Sequence, residues 1–205
     1  MIRAAFFDFG GVVLSSPFEA FARYEADHAL PAGFIRRLNA ANHHDNAWAR
    51  LERNEVDLDE FCRLFEAEAV AAGGELDAGA VLQLLAGDLR PAMVDAVRRC
   101  HERLKTACLT NNVVSSDGPS PHQSLMTELF DVVIESSKVG VRKPDAAFYR
   151  LACDAVAVEP DEVVFLDDLG INLKPARAMG MTTIKVDDPD AAITELERVV
   201  GFALR

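Results

Sequence analysis

The chain has no run of about eighteen consecutive apolar residues, the length a helix needs to cross a bilayer, and no basic-then-apolar start of the kind that marks a secretory leader. Neither a membrane span nor a signal peptide is expected, and a soluble, cytoplasmic protein is the default reading. It also lacks any C-x-x-C pair. Cys62, Cys100, Cys108 and Cys153 are scattered, with no histidine at ligand spacing, and read as small apolar residues in a reducing compartment. Positive charge is scarce: 21 Lys and Arg face 33 Asp and Glu, for a formal net charge of −12. That balance argues against a nucleic-acid partner, because phosphate backbones require clustered cations. The same field repels a small anionic substrate, so phosphate chemistry here would need a local cation. No internal repeat and no low-complexity tract is found. Oligomeric state leaves no mark in the sequence.

What is present is a core-forming composition. With 205 residues and 50% hydrophobic content, the chain can hold one α/β domain, or a smaller core with an inserted subdomain. The run from Ile2 to Phe7 is apolar throughout, as in a strand buried on both faces of a parallel sheet, and it ends on Asp8 before Gly10 and Gly11. An acid at the C-terminal end of such a strand sits where open α/β sheets bind ligands. Ser16-Pro17-Phe18-Glu19 then has the form of a capped helix start, with Pro31 as its stop. Further helices are expected at Phe34 to Ala41, Asn46 to Arg53, from Asp57 with Glu60 behind it, Asp77 to Ala86, and Pro91 to Leu104.

Some eighty residues of helix thus separate the first strand from the second, far more than the roughly dozen that a crossover needs. The expected organisation is an α/β core from 1–14 and 91–205, with an all-helical unit, 15–90, inserted after the first strand. From Lys105 short apolar runs alternate with helices, which means β-α-β units and a Rossmann-like parallel sheet flanked by helices. Each run ends in polar residues: Thr110-Asn111-Asn112, Glu135-Ser136-Ser137, Asp167-Asp168 and Asp187-Asp188. Val113 to His122 reads as a loop beside that edge.

Asp8, Thr110 with Asn111, Lys143 in Gly140-Val141-Arg142-Lys143-Pro144-Asp145, and Asp167-Asp168 form four ordered segments that resemble the signature motifs of the haloacid dehalogenase (HAD) superfamily. Phe165 to Arg177 is similar to the N-terminal phosphatase-type domain of soluble epoxide hydrolases and of some acyl-CoA dehydrogenase fusion proteins. The resemblance implies hydrolysis of a small phosphorylated metabolite through an aspartyl-phosphate on Asp8, which divides the reaction into two easier displacements. It implies Mg²⁺ held by Asp8, Asp168 and the backbone carbonyl of Gly10, with Asp167 acting through water; two adjacent acids at the end of a buried strand repel each other unless a cation is present. Thr110 and the Asn111 N–H would hold the phosphoryl group, and Lys143 would stabilise the developing charge. Arg142 and Lys138 compete for the lysine's role. Asn172 would orient the acidic loop. The inserted helices correspond to the family's cap, where Arg50, Arg53, His43, His44 and Trp48 are contact candidates, although Trp48 reads first as core and the His pair as solvated.

In one respect the pattern departs. Most phosphatases of the superfamily carry a second Asp, the general acid and base, two residues after the nucleophile; Gly10 stands there. The carbonyl ligand survives and the proton carrier is lost. Three readings follow: a Mg²⁺-dependent phosphatase with another proton route, a catalytically weak phosphate-binding or interaction module, or a metal-independent 2-haloacid dehalogenase. Asp167-Asp168 speaks against the last.

Overall fold

The computed structural model describes residues 1–114 and 122–205, so most of the loop expected over Val113 to His122 lies outside the described residues. Five parallel strands form one sheet: β1 (Ala4–Phe7), β2 (Lys105–Thr110), β3 (Val132–Glu135), β4 (Val163–Asp167) and β5 (Thr182–Lys185). Their spatial order is β3-β2-β1-β4-β5. The first strand is therefore central, and its register sets Phe7 between Cys108 and Leu166. All its residues are buried, as its uninterrupted apolar sequence requires.

Eleven helices are present among the described residues. Five of them, α1 (Phe18–Asp27), α2 (Phe34–Ala40), α3 (Ala47–Glu52), α4 (Leu58–Ala71) and α5 (Ala78–Gln83), lie between β1 and β2 in sequence, followed by α6 (Pro91–His101). The remainder are α7 (Gln123–Leu129), α8 (Ser136–Val139), α9 (Ala146–Val156), α10 (Gly170–Ala178) and α11 (Pro189–Val200). Ala5 and Phe7 pack on one face of the sheet with Met93 and Val97 of α6, Leu129 of α7 and Ile193 of α11. Ala4 and Phe6 face the other way, against Phe148, Tyr149 and Ala152 of α9 and Leu173 of α10. The period-two alternation of a strand thus divides one short sequence between two cores.

The helices α1 to α5 have an apolar cluster of their own, in which Phe21, Ile35, Trp48, Phe61 and Phe65 are buried together. Trp48 packs edge-on against Phe61 and Phe65, with ring centroids at 4.9 and 5.7 Å. The two chain crossings between this insert and the sheet are stitched to each other. Leu14 bridges Leu89, the Ser15 N–H donates to Asp88 O at 2.8 Å, and the Arg90 N–H donates to Val13 O at 2.9 Å.

Several helix ends follow the capping chemistry in the sequence. Asn46 and Asp57 accept from the N–H groups of Ala49 and Glu60, at 2.9 and 2.8 Å. The start at Ser16 does not. Pro17 occupies the cap position of α1 with helical dihedrals and no side-chain cap, and the Ser16 hydroxyl points instead to Asp168 Oδ2, at 3.5 Å. That helix also ends at Asp27, before Pro31, because Ala29 turns to φ 54°. Two short helices, α7 and α8, were not expected; neither is long enough to display a full amphipathic period. In α10 Pro175 is accommodated inside the helix.

Candidate active site

The C-terminal edge of the sheet collects the chemistry. Asp8 follows β1 directly, its N–H extending the ladder to Leu166 O at 2.9 Å. Its Oδ1 accepts from the Phe9 N–H at 2.7 Å, which turns the chain through Gly10 and Gly11 and holds the carboxylate in one orientation. Gly11 sits at φ +76°, and a Cβ there would collide with the Asp168 carboxylate. Gly10 has an ordinary φ of −68°, and a Cβ on it would meet nothing within 4 Å. The Arg90 guanidinium donates to Gly11 O at 2.5 Å and so braces the turn.

Lys143 is the cation of the site. Its side chain is 1% exposed, and Nζ lies 2.8 Å from Asp8 Oδ2 and 2.7 Å from Asp167 Oδ2. Burial alone would pull the ammonium down, but Asp167 and Asp8 outweigh it and raise Lys143 above its ordinary value. Asn111 clasps this residue, donating from Nδ2 to Lys143 O at 3.0 Å and accepting at Oδ1 from the Lys143 N–H at 2.9 Å. The peptide that follows, Lys143–Pro144, is cis. Neither competing cation enters the cluster: Lys138 is exposed and pairs with Glu135, and Arg142 turns toward the helical insert.

Asp167 ends β4 with no exposure and is saturated with donors. Beyond Lys143, Asn172 Nδ2 donates to both its oxygens at 3.0 Å, and the Leu169 N–H donates to Oδ1 at 2.8 Å. Asn172 thus orients the acidic loop. Asp168 is the partly exposed member. Burial first, and then Asp167, push its carboxyl up to about 6 against the pull of Lys143. Burial likewise raises Asp8 above its ordinary value, against the opposing pull of Lys143 and with Asp167 and Asp168 adding to the effect. Thr110, the last residue of β2, is buried beside them in register with Glu135.

Asp8, Asp167 and Asp168 each offer a carboxylate oxygen within 4.8 Å of the others. Three carboxylates against one ammonium leave the cluster short of positive charge, and an all-oxygen donor set suits a hard divalent cation. The residues therefore fit a metal of the Mg²⁺ class, Asp168 being the least buried of the three carboxylates.

The insert candidates divide. Trp48 belongs to the insert's core; Arg50 pairs with Asp45, and Arg53 pairs with Glu55 and donates to His44 O at 2.8 Å. The rings of His43 and His44 meet at a tilt, with centroids 4.0 Å apart. Three participants escaped the sequence reading: Ser16, Arg90 and Glu52. Nothing in their local sequence distinguishes them, since each acts through a contact distant along the chain.

A family model described as haloacid dehalogenase-like hydrolase matches residues 2–180. The chain belongs to that family. Among curated proteins this HAD-like hydrolase is 36% identical over 211 residues to acyl-CoA dehydrogenase family member 10 of Mus musculus, covering 98% of this chain and 19% of the relative. It is 35% identical over 219 residues to bifunctional epoxide hydrolase 2 of Sus scrofa, covering 99% of this chain and 40% of the relative. The HAD-like chain thus spans about a fifth and two fifths of these two relatives. Among solved structures, it matches a HAD family enzyme from Bacteroides thetaiotaomicron in complex with magnesium and inorganic phosphate, with a TM-score of 0.61, 19% identity, and coverage of 90% of this chain and 94% of the other.

Proposed function

We propose that this chain is a Mg²⁺-dependent phosphatase of small phosphorylated metabolites, with Asp8 as nucleophile and the helical insert as its cap. The observation that carries the reading is the bridging of Asp8 and Asp167 by the buried Lys143 ammonium, beside a third carboxylate, at the sheet edge. An isolated structural ion pair would not need the unpartnered excess of acid. The magnesium and phosphate of the Bacteroides enzyme support the assignment of the metal and of the ligand class. When bound, Mg²⁺ would supply the positive charge that lets an anionic phosphate approach an anionic nucleophile.

The residues of the chain do the rest. An Asp8 oxygen attacks phosphorus and the ester P–O bond breaks, leaving an aspartyl-phosphate and an alkoxide that takes a proton. Water then attacks the same phosphorus, releasing phosphate and restoring Asp8. Lys143 holds charge on Asp8 and on the phosphoryl oxygens, Thr110 and the Asn111 N–H bind the phosphoryl group, and Asn111 and Asn172 keep Lys143 and Asp167 in place. Gly10 offers no proton. General acid–base help is worth roughly 10²–10⁴ in rate, so good leaving groups are favoured over alkoxides. The net charge of −12 argues against a nucleic-acid substrate. Among the described residues no helix is long and apolar enough to cross a membrane.

Phosphate release from an aryl phosphate should require Mg²⁺, stop in chelator and disappear in Asp8→Asn. Turnover that persists in chelator would overturn the reading. Stoichiometric phosphate-analogue binding without turnover across a broad ester panel would point to a binding module, and metal-free halide release from 2-haloacids to a dehalogenase.

A further inference from the structure

Arg142 and Lys143 are consecutive, and their side chains leave in opposite directions. Lys143 enters the acidic cluster. Arg142 enters the insert, where Nε lies 2.5 Å from Glu52 Oε2 at the end of α3 and an Nη1–H donates to His43 O at 2.7 Å. The two side chains are only 17% and 15% exposed. Asn111 clasps the main chain of Lys143, the residue that follows Arg142.

A mostly buried ion pair adds little net stability, since desolvation offsets the attraction, but it does fix one placement of the two bodies that share it. Here the shared placement includes the catalytic segment. The guanidinium reaches two points of the insert at once, pairing by charge with the carboxylate of α3 and donating a hydrogen bond to the His43 carbonyl that precedes it. One residue further on, the same backbone carries the lysine that bridges Asp8 and Asp167. Any tilt of the insert that breaks the Glu52 contact pulls on Arg142 and so on the backbone of Lys143, which Asn111 holds.

We propose that Glu52 is a positioning residue for hydrolysis: through Arg142 it latches the cap against the core, so that cap closure and the placement of Lys143 are set by one contact. The rate arm of this inference rests on the phosphatase reading, and the structural arm on the contact alone. Substrate entry opens the latch, and its closure excludes water from the edge where Asp8 reacts.

The test is a double-mutant cycle on the intact chain with Glu52→Gln, Arg142→Met and their combination, assayed with Mg²⁺ and an alkyl phosphate. Hydrogen exchange over residues 43–53 and 141–145 is followed in parallel. Each single variant should lower kcat about tenfold with KM changed less than about threefold, and the combination should be no worse than either alone, as expected of residues acting as one unit. Exchange should quicken in both segments of Glu52→Gln. Glu52→Asp should recover most of kcat, and Arg142→Lys, which keeps charge but loses the two-point grip, should fall between; both guard against loss of folding in the first pair. Multiplying single-variant effects, or unchanged exchange over 141–145 in Glu52→Gln, would overturn the latch. If the parent chain hydrolyses no phosphate ester, the phosphatase reading falls and the exchange arm alone decides the latch.

Discussion

Gly10 and Gly11 are identical in composition and opposite in consequence. Gly11 holds φ +76° against the Asp168 carboxylate, so both its dihedral and its missing Cβ are required. Gly11→Ala should lower stability by about 1–3 kcal/mol from backbone strain alone and should displace Asp168, which phosphate release with Mg²⁺ would register as a loss of activity. Gly10 has neither restraint. Gly10→Asp should therefore fold normally and add the absent proton carrier, raising turnover of an alkyl phosphate by at least about tenfold and of an aryl phosphate less, because a good leaving group needs less protonation. Equal turnover before and after the substitution would show that the chain has another proton route. At this scale the sequence displayed the acids and the lysine but not the division of labour between the glycines. Which backbone takes the left-handed turn depends on the neighbouring strand's carboxylate, a contact 157 positions further along the chain for Gly11 and Asp168.

Elements were legible where their ends carried local chemistry. Asn46, Asp57 and Asp188 cap helices through their own side chains, and the strands appear as apolar runs closed by polar residues. Ser16 shows the limit: its pattern matches a cap, but the hydroxyl points to a distant acid, Asp168, and α1 has no side-chain cap. The strand end at Thr110-Asn111 was legible as a polar edge, whereas the part of Asn111 that holds both N–H and C=O of Lys143 required the β2–α9 neighbourhood to be seen. The helix α4 offers a direct measurement. Asp57→Ala removes the acceptor for the Glu60 N–H and should cost about 1 kcal/mol. The sole tryptophan, Trp48, packs on Phe61 and Phe65 of the same helix, so its fluorescence in a urea titration should report the lower midpoint.

For the molecule as a whole, the decisive imbalance is electrostatic: a chain already at −12 gathers three carboxylates around one buried ammonium. Two substitutions should then move metal-free stability in opposite directions. Lys143→Met strands Asp8 and Asp167 without their counter-charge, a change that costs about 3–5 kcal/mol when a buried pair loses one partner. Asp168→Asn removes a repelling carboxylate at the same place and should leave the metal-free protein as stable as the parent, or more so. Mg²⁺ reverses the second comparison. A cation that binds only the folded chain stabilises it by about 2.7 kcal/mol at a hundred times its Kd, so the parent's Tm should climb with added Mg²⁺ while that of Asp168→Asn climbs far less. Thermal melts of the three proteins, with and without Mg²⁺, separate a metal site from a merely acidic edge. A parent whose Tm ignores Mg²⁺, alongside an Asp168→Asn protein that behaves identically, would leave the carboxylates without the cation that their placement calls for.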